Sequence, residues 1–165
     1  MFGAPLRSGL MMRPFLALAL VLVLVLPARA EMLTGAQIRD LFTGNTVAGH
    51  YVTGGPFSEY HAPDGRALGD NGLTLNVDAC WNTDGDKVCY HYGPAKDRRT
   101  YCFTVERNGD NLALKVADTG RLNALAKVEK GNPKDHGDGG RRWSCDDLLA
   151  ARPSDRLRVL ARIGR

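Results

Sequence analysis

From Thr46 to about Val116 the chain keeps a period of two in its apolar residues, and turn-formers interrupt it at short intervals. Such alternation is the mark of strands, and hairpin-length connections between them favour an antiparallel meander. The expected strands are 46–52, 57–61, 73–81, 87–92, 100–105 and 112–117. Their separators are Thr53-Gly54-Gly55-Pro56, Pro63-Asp64-Gly65, Asp84-Gly85, Gly93-Pro94 and Asn108-Gly109, all rich in residues that accept tight-turn geometry. Segment 122–128 suits either a strand or a short helix. Curling would bury one face of the sheet and hide its edges. The expected fold is mainly β, a small barrel-like meander with a short N-terminal helix and a helical C-terminal tail.

Leu33-Thr34-Gly35-Ala36-Gln37-Ile38 has the pattern of a helix start. Thr34 can cap, Gln37 can reach back to close a capping box, and Leu33 can pack against Ile38. Ile38, Leu41 and Phe42 share a face, and Gly44 offers a left-handed stop. Residues 131–140 are polar and glycine-rich, which predicts a mobile loop. Ser144-Cys145-Asp146-Asp147 opens a second helix that Pro153 ends, and a third is expected to run from Ser154 or Asp155 through Ile163.

The chain begins with a leader. Arg13 precedes an apolar run from Phe15 to Leu26, and Ala28-Arg29-Ala30 forms a small-x-small cleavage site. The run falls short of the roughly 20 residues that span a bilayer. Residues 1–30 are therefore read as a signal peptide, 31–133 as a β-rich domain and 134–165 as a loop and helical tail. Met11 and Met12 offer alternative starts. Export places the mature chain in the periplasm or outside the cell.

Removing Arg7, Arg13 and Arg29 reduces the net charge from +4 to +1, too little for a general nucleic-acid binder. Residues 31–133 carry 11 Lys/Arg and 13 Asp/Glu, a net −2, and residues 134–165 carry 8 and 5, a net +3. The tail is expected to dock on its own domain in preference to an anionic membrane.

Cys80, Cys89, Cys102 and Cys145 all follow the leader, and none forms a Cys-x-x-Cys pair. In an exported chain this predicts structural disulfides; it argues against a zinc knuckle or a redox centre. A two-residue Asp84-Gly85 turn would set Cys80 opposite Cys89, whereas Cys89 and Cys102 flank the next hairpin. Of these alternatives we favour Cys89–Cys102 with Cys80–Cys145.

Several stretches have a counterpart elsewhere. They are the opening helix through Arg39, Gly44-Asn45-Thr46, Glu59-Tyr60-His61-Ala62-Pro63-Asp64-Gly65, Cys80-Trp81, Gly85-Asp86-Lys87-Val88-Cys89-Tyr90, Tyr101-Cys102 and Gly131-Asn132-Pro133. In this order over residues 33–133, the chain resembles exported alpha-proteobacterial proteins catalogued as domain of unknown function 995. The resemblance implies export and a compact β-rich domain, with no established activity and no catalytic residues to transfer.

Glu59, His61 and Asp64 are the candidates for chemistry. On a strand Glu59 and His61 point to one face, and a carboxylate beside an imidazole can form a proton-transfer pair. The plainer and preferred reading is a Pro-Asp-Gly turn beside a solvated strand end. Tyr90 and Tyr92 share a face opposite His91, and with Trp81 they are the candidate ligand-binding residues, although core packing explains them as well. His50 and His136 add little. No metal site or cofactor is expected. The leading expectation is a non-catalytic module that binds a small ligand or an envelope protein. The alternatives are a small hydrolase-like enzyme using Glu59 and His61, and an envelope inhibitor or accessory protein.

Overall fold

A computed structural model describes residues 30–150 apart from 73, 77 and 95. The leader through residue 29 and the expected third helix lie outside the described residues. The elements are β1 (Glu31–Met32), α1 (Gly35–Phe42), β2 (Thr46–Tyr51), β3 (Pro56–His61), β4 (Ala67–Asp70), β5 (Cys80–Asp84), β6 (Lys87–Tyr92), β7 (Arg99–Asn108), β8 (Asn111–Val116), β9 (Leu122–Glu129) and α2 (Asp146–Ala150). The fold is mainly β. Strand order is β4-β3-β2-β9-β8-β7-β6-β5, every pairing is antiparallel, and β1 adds to β7. The β2–β9 pairing joins early and late strands and curls the sheet around.

The remaining seam lies between β4 and β5. Backbone bonds from Ala67 N to Ala79 O (3.0 Å) and from Trp81 N to Gly65 O (2.8 Å) bring its sides together. An isolated bridge pairs Arg66 with Cys80. The sheet is thus nearly closed into a barrel, which leaves few unpaired edge groups.

Two hairpins use the same turn chemistry. Gly85-Asp86 joins β5 to β6 and Gly109-Asp110 joins β7 to β8, with φ of +56° at Gly85 and +59° at Gly109. Positive φ at the first central residue is the demand that glycine meets in a two-residue hairpin. The first turn therefore centres one residue later than the expected Asp84-Gly85 turn. Cys80 then faces His91, and Cys89 faces Asn82.

The expected strand 73–81 is also displaced. Asp70 Oδ1 accepts from Gly72 N (2.9 Å) and Asn71 Oδ1 from Thr74 N (3.0 Å), which turns the chain just after β4. Asp78 takes a left-handed φ of +53°. These local side-chain bonds compete with a ladder, so β5 starts only at Cys80. The undecided segment 122–128 is β9.

Helix α1 covers one end of the barrel. Its capping box is complete: Gln37 N donates to Thr34 Oγ1 (3.3 Å) and Thr34 N to Gln37 Oε1 (2.8 Å). Gly35 N donates to Asp86 Oδ1 (2.9 Å), tying the helix start to the β5–β6 turn. A Cβ at Gly35 would run into the Gly85 carbonyl. At the other end, left-handed Gly44 donates to His61 O (2.8 Å). Leu33, Ile38 and Phe42 are fully buried below the strands, each worth about 1.5–3 kcal/mol of burial.

Both disulfides follow the favoured pairing, Cys89–Cys102 and Cys80–Cys145. Cys89 and Cys102 are register partners on β6 and β7, with Cα atoms 4.1 Å apart. Cys80–Cys145 fastens the segment after β9 across the seam. Trp143 Nε1 donates to Ala79 O (2.9 Å), Arg66 lies over the Trp143 ring, and Arg98 pairs with Asp147 at 2.6 Å. The 131–140 segment, expected as a mobile loop, is hydrogen-bonded along its length. Asn132 clasps the His136 backbone, and the His136 ring meets Ser58 Oγ at 2.8 Å.

Candidate functional site

Strand parity places Phe57, Glu59 and His61 in one inward row, with Val88, Tyr90 and Tyr92 in another. Further rows come from Arg99, Tyr101, Phe103 and Val105 on β7, and from Leu112 and Leu114 on β8. Each row changes character along its length. Toward α1 the members pack into the core cluster; toward the opposite end the same faces become aromatic and polar. There the lumen opens into a cavity of about 500 Å³. Tyr51, Phe57, Tyr92, Tyr101, Phe103 and Leu114 form much of its wall, and loop residues Asn71, Leu75 and Asn76 border it. A barrel of about eight strands has room either for packed side chains or for one small ligand. This one is packed at one end and hollow at the other.

Glu59 lines the hollow part, yet only 6% of its surface is exposed. Its Oε1 accepts from Asn76 Nδ2 (2.6 Å) and from the Tyr92 hydroxyl (3.3 Å). Both donors are neutral. Oε2 receives no hydrogen bond from the described residues, and no described cation pairs with the carboxylate. Burial pushes the Glu59 pKa up to about 7, against the lowering effect of the Tyr92 and Asn76 bonds. Near neutral pH the side chain is therefore poised between a neutral acid and a buried anion. Burial, and then the Glu59 charge, raises the phenol pKa values of Tyr51, Tyr90 and Tyr92, so these tyrosines stay neutral.

His61 is two residues further along the same row but sits in the packed half. It is fully buried, with its ring 4.8 Å from Phe42, 4.9 Å from Trp81 and 5.6 Å from Tyr90 by ring centroids. Nε2 shares a 2.8 Å hydrogen bond with the Tyr90 hydroxyl, while Nδ1 makes none of good geometry. Burial drives its pKa down to about 3, against the opposing pull of the nearby Asn45 and Glu59 backbone. The imidazole is neutral and does not border the cavity. The expected solvated strand end is thus absent, because the row containing Glu59 and His61 faces the lumen.

The other sequence candidates divide. Tyr90 and Tyr92 reach the cavity, their rings stacked 6.4 Å apart. Trp81 does not; it packs on His61 and donates from Nε1 to Ala62 O (3.1 Å). Asp64 stays in its turn, where it accepts from Arg66 N and Nε at 3.1 and 2.8 Å. His91 points outward between Thr100 Oγ1 (2.9 Å) and Asn82 Oδ1 (3.1 Å). Among the described residues no His, Cys, Asp or Glu group is arranged to hold a metal ion.

Sequence reasoning missed Tyr51, Phe57, Tyr101, Phe103 and Asn76 as cavity residues. The first four were available through parity: they lie on the same strand faces as the rows that form the core. Asn76 gave no such signal, because it comes from the irregular connection between β4 and β5. No family model, curated protein or solved structure matches this chain.

Proposed function

We propose that this protein is an exported, non-catalytic binding module that holds one small organic molecule in the open end of its barrel. The cavity of about 500 Å³ carries the reading, since its size falls within the roughly 300–1,000 Å³ usual for small-molecule sites. Its lining has the usual composition of such sites, mostly apolar and aromatic with a few polar groups. Two disulfides suit a periplasmic or extracellular location. The enzyme reading is weaker, because His61 is sealed behind Tyr90 while Glu59 faces the cavity. A proton-transfer pair needs both groups within reach of one substrate.

The test is calorimetric titration of the oxidised protein with naphthylmethanol, a neutral probe of suitable size. Saturable binding is expected, with amide chemical-shift changes centred on Tyr92, Tyr101, Phe103 and Ala124. Ala124→Trp, which fills the lumen, should abolish binding. Shift changes confined to the outer face, or no saturable binding, would overturn the proposal. The chemical-shift map decides the matter even if the Trp variant does not fold.

A further inference from the structure

Resting on that binding reading, we infer that the cavity is selective for an organic amine, whose ammonium group pairs with Glu59 while its apolar body lies among the aromatic rings. The geometry supplies three parts of such a site. Glu59 is more than nine-tenths buried, lines the cavity, and has one carboxylate oxygen left without a hydrogen bond from the described residues. Around it stand Tyr51, Phe57, Tyr92, Tyr101 and Phe103, whose ring faces attract cations. The two donors on Oε1 are a phenol and an amide, which orient the carboxylate without neutralising it.

A purely apolar guest would leave this arrangement uncompensated. A carboxylate in such a wall costs folding free energy, and a bound cation recovers it. The groups facing Glu59 from neighbouring elements do not supply that cation. Tyr51 on β2 and Tyr90 and Tyr92 on β6 remain neutral. Asn76 is an amide. Arg99 is the only cation among the described lining residues; it is exposed and makes no ion pair with Glu59. Its register partner is Tyr92, the last residue of β6, which places it at the mouth. Water screens a charge there far more than one inside. The same carboxylate disfavours an anionic guest in the deep part of the cavity.

Binding of an ammonium group requires the ionised carboxylate. With a midpoint near 7, the ionised fraction grows about tenfold from pH 6 to pH 8, so affinity should rise by about that factor. Over the lower part of this range, binding should release a proton from Glu59.

The experiment compares naphthylmethylamine, naphthylmethanol and naphthoate by calorimetry on the oxidised protein. At pH 8 the amine should bind at least about tenfold more tightly than the alcohol, as expected of a charge-assisted hydrogen bond in a buried site. Naphthoate should bind weakest. Glu59→Gln should erase the advantage of the amine over the alcohol. An alcohol that binds as tightly as the amine, or a tighter naphthoate, would overturn amine selectivity and leave the cavity reading standing. Failure of all three probes would overturn both. The wild-type pH series gives a readout that needs no variant: an amine affinity that is flat from pH 6 to pH 8 refutes the role of Glu59.

Discussion

At its helix end the barrel lumen is solid. Phe42, His61, Trp81 and Val88 are in contact or closely packed, and the one imidazole there is held neutral. At its other end the same inward rows surround a cavity and a carboxylate whose second oxygen receives no hydrogen bond from the described residues. Glu59 and His61 are separated by one residue on β3 and both are buried, but burial raises one pKa and lowers the other. Desolvation always favours the neutral form, so an acid and a base respond in opposite senses. One end is therefore built for stability, and the other keeps a group that works against it.

The sharpest way to break this comparison is to empty the solid end. Phe42→Ala should cost about 3–5 kcal/mol in chemical denaturation, because a fully buried ring leaves a void under the strands. A loss below about 1 kcal/mol would mean that the helix end is not the stabilising half.

Glu59→Gln should act in the opposite direction and depend on pH. Between pH 4.5 and about 7 the folded protein keeps a proton that the unfolded chain has released, so Glu59 makes stability fall as pH rises. By pH 8 that cost is complete, and the Gln variant should be more stable by roughly 3 kcal/mol; near pH 4.5 the two should match. His61 has the reverse sign. Its contribution is fully present above pH 6.5 and is lost as pH falls toward 3. The variant should therefore gain stability with rising pH up to about 6.5 and then level off. In the wild type the opposing Glu59 and His61 slopes cancel between about 4.5 and 6.5, and stability falls from about 6.5 to 7 before levelling. Parallel curves for the two proteins would remove Glu59 as the costly group.

Gly35→Ala tests the join between helix and barrel. The added methyl meets the Gly85 carbonyl, so a loss of about 1–3 kcal/mol is expected from thermal melts. Full stability would show that the helix can shift without consequence. The smallest effect belongs to the cavity mouth. Tyr101 is 48% exposed, and Tyr101→Ala should change stability by no more than about 0.5 kcal/mol. A larger loss would make the rim part of the folding core.

Much of this architecture could be read from the sequence. Tight-turn residues marked the hairpins, parity put Tyr90 and Tyr92 on one face, and the Cys89 and Cys102 positions suited a bond across adjacent strands. The candidate site was harder to read. Phe57-Ser58-Glu59-Tyr60-His61 has polar residues on both faces, so alternation alone could not say which face enters the lumen. Its burial follows from β2 and β4 on either side and from α1 beneath, a tertiary property. The 73–81 run failed for a local reason: Asn71 and Asp70 side chains capture backbone groups that a strand would have used.

Cys145 follows the nine strands of the described residues, and its partner Cys80 stands at the seam. Any synthesis that runs from the N-terminus therefore finishes the whole sheet before the covalent lock across that seam can form. A chain interrupted after β9 but before residue 145 would own each of the described strands and still carry one unmatched thiol. The number of free thiols thus records whether a chain has reached residue 145, and a thiol titration separates molecules that stop before it from those that extend past it.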